Sequence, residues 1–211
     1  ANGKISLDDE VLVSEKAWRT EGSRMFIEVD KMVKLDDLLH GVVIQSGNDA
    51  SVALAEYISG AEDVFADLMN KHAERLGMTN SHFVNSTGLP DPEHYTTAKD
   101  LAILAKALIR DYPEIYDLHK IKEFTFNKIK QHNRNKLLWR DRSVDGIKTG
   151  HTEAAGYCLV ASAVRDGMRL ISVVMGTDGM NARAKASQAL LNYGYRFYET
   201  HKLYNAGDLI T

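Results

Sequence analysis

The sequence predicts an α+β fold: an antiparallel β-sheet flanked by helices, with a mostly helical subdomain over 35–110. Three observations carry this expectation. Apolar residues recur at helical spacing through the first half of the chain, and the period changes to two from Glu123. Two apolar, β-branched-rich runs at 157–164 and 168–175 flank Arg165-Asp166-Gly167, and Asp-Gly between such runs is a strong hairpin signal. With 211 residues, 44% of them hydrophobic, the chain can bury one substantial core.

Taken in chain order, Leu35, Leu38, Leu39, Val42 and Val43 lie on one helical face, and Asp36 and Asp37 suit a first turn beside the positive helix end. That helix runs into Ser46. The spacing returns in Ala50, Ala53, Leu54, Tyr57 and Ile58, and again in Phe65, Leu68, Met69 and Leu76, where Gly77 offers a stop. Ser46-Gly47-Asn48 therefore falls at a break between two helices. The stretch 78–95 is rich in Asn, Ser, Thr, Gly and Pro and reads as a long loop of the kind that usually carries a role. Thr97 with Asp100 makes a capping box ahead of Leu101, Leu104, Ala105, Leu108 and Ile109, and Pro113 closes that helix.

Beyond it, Phe124 and Phe126 alternate with Thr125, and Ile129 follows an Asn127-Lys128 turn. Both hairpin runs are apolar at successive residues, so the sheet is expected to be covered on both faces. A last helix with Ala186, Ala189, Leu190, Tyr193 and Phe197 on one face is expected to supply part of that cover.

Composition narrows the function classes. A formal charge of -3, with no block of like charges, argues against a nucleic-acid binder that works by phosphate neutralisation. The single cysteine, Cys158, has no internal disulfide partner and is expected to pack as a small hydrophobe. No uninterrupted apolar stretch reaches the roughly 18 residues of a membrane span. The histidines show no ligand spacing, and the chemistry below needs neither a metal nor an organic cofactor.

Two tripeptides carry the chemistry. Lys148-Thr149-Gly150 lies just before the hairpin, where an edge strand can set an ammonium and a hydroxyl beside an extended peptide and a glycine lets that peptide approach. Ser46-Gly47-Asn48 alone is an ordinary loop sequence. Together, in this order and 102 positions apart, they resemble the second and third motifs of the penicillin-recognising serine enzymes. The phrases LLHGVVIQSGNDASVALAEY, GMTNSHFVNSTGL, KEFTFNKIKQHNRNKLLW and VDGIKTGHTEAAGYCLVASA are similar to the low-molecular-mass penicillin-binding proteins that act as D-alanyl-D-alanine carboxypeptidases. The resemblance covers nearly the whole chain and implies a β-lactamase/transpeptidase-like architecture.

That family places a Ser-x-x-Lys nucleophile motif some tens of residues before Ser-Gly-Asn, and no serine here has a lysine three residues later. Thr96-Thr97-Ala98-Lys99 has the spacing with threonine but follows the Ser-Gly-Asn motif and doubles as a helix cap. The resemblance thus implies that residues 1–202 are a partial catalytic domain lacking its nucleophile segment. It implies further that 203–211 begin the connection to an absent C-terminal β domain and a membrane-associating segment. The expected location is the periplasm, peripheral to the inner membrane in the full-length protein.

The implied reaction removes the terminal D-alanine of a peptidoglycan stem peptide through an acyl-enzyme, with β-lactam antibiotics as acylating analogues. Ser46 would relay a proton to the departing amine, Asn48 would hydrogen-bond the peptide, and Lys148 would supply positive potential. Gly47, in the same turn, is a further substrate-binding candidate. Thr149, Gly150 and His151 would line the substrate, with the His151 backbone N–H in the oxyanion hole, and Arg134 and Arg183 are cationic candidates for the terminal carboxylate. A surface ion pair is the plainer reading of Arg183. Two alternatives share these residues: a serine β-lactamase, disfavoured because no glutamate sits where its deacylating loop belongs, and a non-catalytic peptidoglycan-binding module. The 211 residues alone are expected to be inactive.

Overall fold

A computed structural model describes residues 5–201, 203 and 204; residues 1–4 and most of the expected 203–211 connection lie outside the described residues. The chain opens with β1 (Glu10–Leu12), α1 (Glu15–Arg19) and β2 (Met32–Lys34), the two strands pairing antiparallel with Val11 opposite Val33. These elements are not foreseen from the sequence, because strands of three residues are too short to display a period. Then come α2 (Leu35–His40), a π-helical turn (Gly41–Gln45), α3 (Asn48–Ser59) and α4 (Glu62–Leu76). Gly77 ends α4 in the left-handed conformation at φ 80°, as its position after Leu76 predicts.

The loop 78–97 is tied down at a bridge between His82 and Tyr95 before α5 (Ala98–Asp111), α6 (Pro113–Tyr116) and a 3₁₀ turn (Asp117–Lys120). The Thr97 hydroxyl caps α5 by accepting from Asp100 N at 3.2 Å. Only half the predicted capping box forms, because the Asp100 carboxylate turns instead to Asn80 N and Ser81 Oγ, each at 2.8 Å, and so fastens the loop to the helix. The hairpin β3 (Glu123–Phe126) and β4 (Ile129–His132) follows, with Asn127 and Lys128 both at positive φ in its turn.

After α7 (Leu137–Arg140), strands β5 (Val144–Thr152), β6 (Gly156–Arg165) and β7 (Met168–Thr177) form an antiparallel sheet in that order, and α8 (Met180–Phe197) ends the fold. Asp166 and Gly167 make the β6–β7 turn at φ 48° and 78°. β5 is an edge strand of this sheet among the described residues.

Helices cover the sheet on both sides, as the apolar runs predict. Leu159, Ala161 and Ala163 of β6 pack with Ala184 and Leu191 of α8, whereas Val160 and Ile171 pack with Ala105 of α5, Tyr116 and Ile147. A separate cluster, including Val11, Val13, Met25, Ile27, Leu38 and Val52, forms the core of the helical part, with Phe124 and Phe126 against it.

The face α8 buries is not the predicted one. Arg183, Ala184, Ser187 and Leu191 are inside, while Leu190, Tyr193 and Phe197 are exposed. Small residues let the helix lie close to the sheet: a Cβ at Gly194 would stand 2.5 Å from Leu170 Cδ1. Close packing of a thin face outweighs the burial available from a stripe of large side chains.

Candidate active site

Ser46 owes its position to the way α2 ends. The predicted helix does run to Ser46, but its last turn is π-helical over Gly41–Gln45, and Ser46 then adopts the left-handed conformation at φ 62°, ψ 39°. A wide turn of this kind is characteristic of functional sites, and a non-glycine left-handed residue is uncommon enough to be held on purpose. Gly47 N donates to Gly41 O at 3.0 Å and closes the corner. Glycine is required at Gly41, where a Cβ would collide with Met25.

Asp49, 1% exposed, locks this corner to the preceding segment. Its carboxylate accepts from Met25 N at 3.0 Å, Phe26 N at 3.0 Å and Ile27 N at 3.3 Å, and from Ala50 N at 2.9 Å. Asn48 is fixed by its backbone N–H, which donates to Ser23 O, and by its side-chain amide, which donates to Glu21 O, both at 2.7 Å. Its Oδ1 is thereby oriented and left as an acceptor for an N–H from outside.

Lys148 reaches this corner from β5. Its ammonium donates to Ser46 Oγ in a very short contact and to Thr149 O at 2.9 Å. The two sequence motifs therefore meet in one hydrogen-bonded network. Some of the stem remains accessible while the charged end is enclosed, and burial, reinforced by Arg134 and Arg183, lowers its pKa from 10.5 to about 8. Lysine that titrates this close to neutrality, beside a hydroxyl, is suited to proton transfer.

Thr149 is buried, and Gly150 and His151 run out along the exposed end of the strand. A Cβ at Gly150 would meet only Cys158 Cβ at 3.9 Å. The protein's own packing thus tolerates a side chain there, and the smooth surface is left to whatever docks on the edge. The His151 ring lies against Tyr157 at a tilt of 33°, with ring centroids 3.9 Å apart. Cys158 is half-buried, rather than fully buried as predicted, with Sγ 3.4 Å from Ala155 O.

Arg183 is not in a surface ion pair. It is 3% exposed, donates to Gly150 O at 3.0 Å and Cys158 O at 3.3 Å, and lies over the Tyr157 ring at 5.5 Å. Arg134, by contrast, is an exposed residue, and its surroundings are desolvated enough to lower its pKa. Among the described residues no carboxylate acts on Lys148, Arg134 or Arg183. Three cations within electrostatic reach of one another and without a counter-ion form a site prepared for an anion.

Sequence reading missed the residues behind the strand. Asn133, Asn135 and His119 are buried polar side chains bonded to β5 and its neighbours. The signal available was the phrase Asn133-Arg134-Asn135 beside apolar Leu137 and Leu138, which in isolation reads as a polar turn.

Known proteins resemble this chain at the level of family, sequence and fold. A family model described as D-alanyl-D-alanine carboxypeptidase matches residues 1–179. The D-alanyl-D-alanine carboxypeptidase DacC of Escherichia coli K12 is 51% identical over 204 residues, covering 93% of this chain and 51% of that protein. The D-alanyl-D-alanine carboxypeptidase DacA of Haemophilus influenzae is 48% identical over 214 residues, covering 99% and 54%. The crystal structure of penicillin binding protein 5 from Haemophilus influenzae superposes with a TM-score of 0.96 at 47% identity, over 100% of this chain and 62% of that one. The chain spans about half the length of the curated relatives it matches.

Proposed function

The chain belongs to the D-alanyl-D-alanine carboxypeptidase family, and we propose that it supplies the substrate cleft and proton relay of a serine-type carboxypeptidase acting on peptidoglycan stem peptides. The observation that carries this reading is the bond from Lys148 to Ser46 across 102 residues of sequence, in a pocket of unneutralised cations. Residues 1–202 are on this reading part of a catalytic domain.

An extended peptide ending in D-alanyl-D-alanine would add along the edge of β5, as peptides do on free strand edges. Its terminal carboxylate would meet Arg134, the Thr149 hydroxyl and the field of Lys148, and Asn48 Oδ1 would accept a peptide N–H. A serine hydroxyl then attacks the penultimate carbonyl, whose oxyanion takes hydrogen bonds from backbone N–H groups including that of His151. As the C–N bond breaks, Ser46 passes its proton to the leaving nitrogen and recovers, through Lys148, the proton that the attacking serine gave up. Water hydrolyses the ester and returns the serine. β-Lactams would acylate the same serine. Arg183 acts from beneath, holding Gly150 and Cys158, and adds charge without touching the substrate. The work of such an enzyme lies in the periplasm; among the described residues no helix is long and apolar enough to cross a membrane.

The attacking serine is not Ser46, since a nucleophile of this class works with a lysine three residues later and these 211 residues hold no such pair. These residues alone are therefore expected neither to release D-alanine nor to be labelled covalently by fluorescent penicillin. A polypeptide in which a Ser-x-x-Lys segment accompanies them should do both, and Lys148→Ala should slow both by about 100-fold. Stoichiometric labelling of the 211 residues alone would show that the nucleophile lies among them.

A further inference from the structure

Like charges repel, so keeping Arg134 within electrostatic reach of Lys148 calls for a restraint on the backbone that carries the arginine. The two asparagines that flank Arg134 provide one. Asn133 is 7% and Asn135 1% exposed, so the backbone on each side of the arginine is anchored inside the protein. Asn135 Nδ2 donates to Gly146 O at 3.0 Å, two residues before Lys148 on the same strand, and Asn135 Oδ1 accepts from Leu137 N at 3.1 Å. Asn133 Oδ1 accepts from Asn135 N at 2.9 Å, and Asn133 Nδ2 donates to Ile121 O at 2.9 Å. His119, in the adjoining 3₁₀ turn, bonds through Nδ1 to Ile147 O at 2.9 Å and closes the ring of contacts around the start of β5.

We infer that Asn135, braced by Asn133, is a positioning residue that binds the backbone beside Arg134 to the strand carrying Lys148 and so sets where the arginine stands relative to the lysine. Both asparagine side chains are bonded to backbone groups. The groups that act on the Lys148 charge are Arg134 and Arg183, with His119 behind the strand, and only Arg134 is tethered through the asparagines. The consequence for substrate binding rests on the carboxylate-binding reading above; the consequence for Lys148 does not.

The test titrates the Lys148 side chain by NMR and measures binding of N-acetyl-D-alanyl-D-alanine in the 211-residue chain. In Asn135→Ala the Lys148 midpoint should rise by about half a pH unit or more as Arg134 moves away, and the dipeptide should bind about tenfold more weakly. Asn133→Ala should do the same and serves if Asn135→Ala does not fold. Arg134→Ala should raise the midpoint equally, and adding Asn135→Ala to it should change nothing further. Asn70→Ala, which removes a comparable pair of side-chain bonds joining α4 to Phe83 of the following loop, should leave both readouts alone while lowering stability. An unchanged Lys148 midpoint in the folded asparagine variants, or an effect that adds to that of Arg134→Ala, would overturn the proposal. Failure of the dipeptide to bind the wild-type chain would sink the carboxylate reading, and the titration would still decide the role of the asparagines.

Discussion

Lys148 is where sequence, burial and charge converge on one atom. Its pKa is depressed to about 8 against an ordinary 10.5, so folding is penalised wherever the unfolded chain holds that proton more tightly. The unfolded state binds more protons between those two values, and stability attributable to this residue must rise with pH across that window. Below pH 8 the cost is fully present; above pH 10.5 it has gone. Lys148→Met should therefore stabilise the fold at pH 7 by about 1–3 kcal/mol, a gain that urea denaturation should find shrinking between pH 8 and 10.5. Lys148→Arg should not restore acyl-transfer rate in a complete enzyme, because a planar fork cannot take the place of a compact ammonium against Ser46. That Lys148 would meet Ser46 was legible in the sequence because the two tripeptides together resemble paired motifs of a known enzyme class. Asn133, Asn135 and His119 were not, since a buried amide that holds a backbone carbonyl has the same letter as one in a solvated turn.

At the level of elements, the Ser46 corner depends on Asp49, whose carboxylate satisfies four backbone N–H groups. Asp49→Ala leaves buried donors without partners and should cost about 3 kcal/mol or more, read as a shift in the urea midpoint. Gly22, at φ 89°, faces Asn48 so closely that an added Cβ would stand 2.5 Å from Nδ2; Gly22→Ala should displace the Asn48 amide and weaken dipeptide binding more than it lowers stability. The orientation of α8 gives a second case. Gly194→Ala should stay within about 1 kcal/mol, because the Leu170 methyl it meets can rotate and helix propensity offsets the crowding, and Leu190→Ser, at a residue 50% exposed, should stay within about 0.5 kcal/mol. Helices α3 to α5, the Asp166-Gly167 hairpin and the Asn127-Lys128 turn followed from periodicity and turn chemistry. The α8 face did not, because periodicity weighs side-chain size and the helix is seated by its smallest residues. The π-helical turn before Ser46 was equally hidden, since Val42, Val43 and Ile44 continue the apolar pattern through it.

At the scale of the whole molecule, the cleft is a junction of two layers with separate cores. The helical part, built on Val11, Met25, Leu38 and Val52, presents Ser46 and Asn48; the sheet, clamped between α5 and α8, presents Lys148 on its edge. Neither layer carries both motifs by itself, and on the proposed reading the cations at the junction receive the substrate carboxylate. The most direct measurement is a map of backbone and side-chain NMR shifts in the 211-residue chain as N-acetyl-D-alanyl-D-alanine is added. Perturbations are expected at Ser46, Asn48, Arg134 and along 148–151, lost in Lys148→Ala. Saturable perturbation confined to other surfaces, or retention of the same pattern in Lys148→Ala, would contradict the assignment of this junction as the substrate cleft.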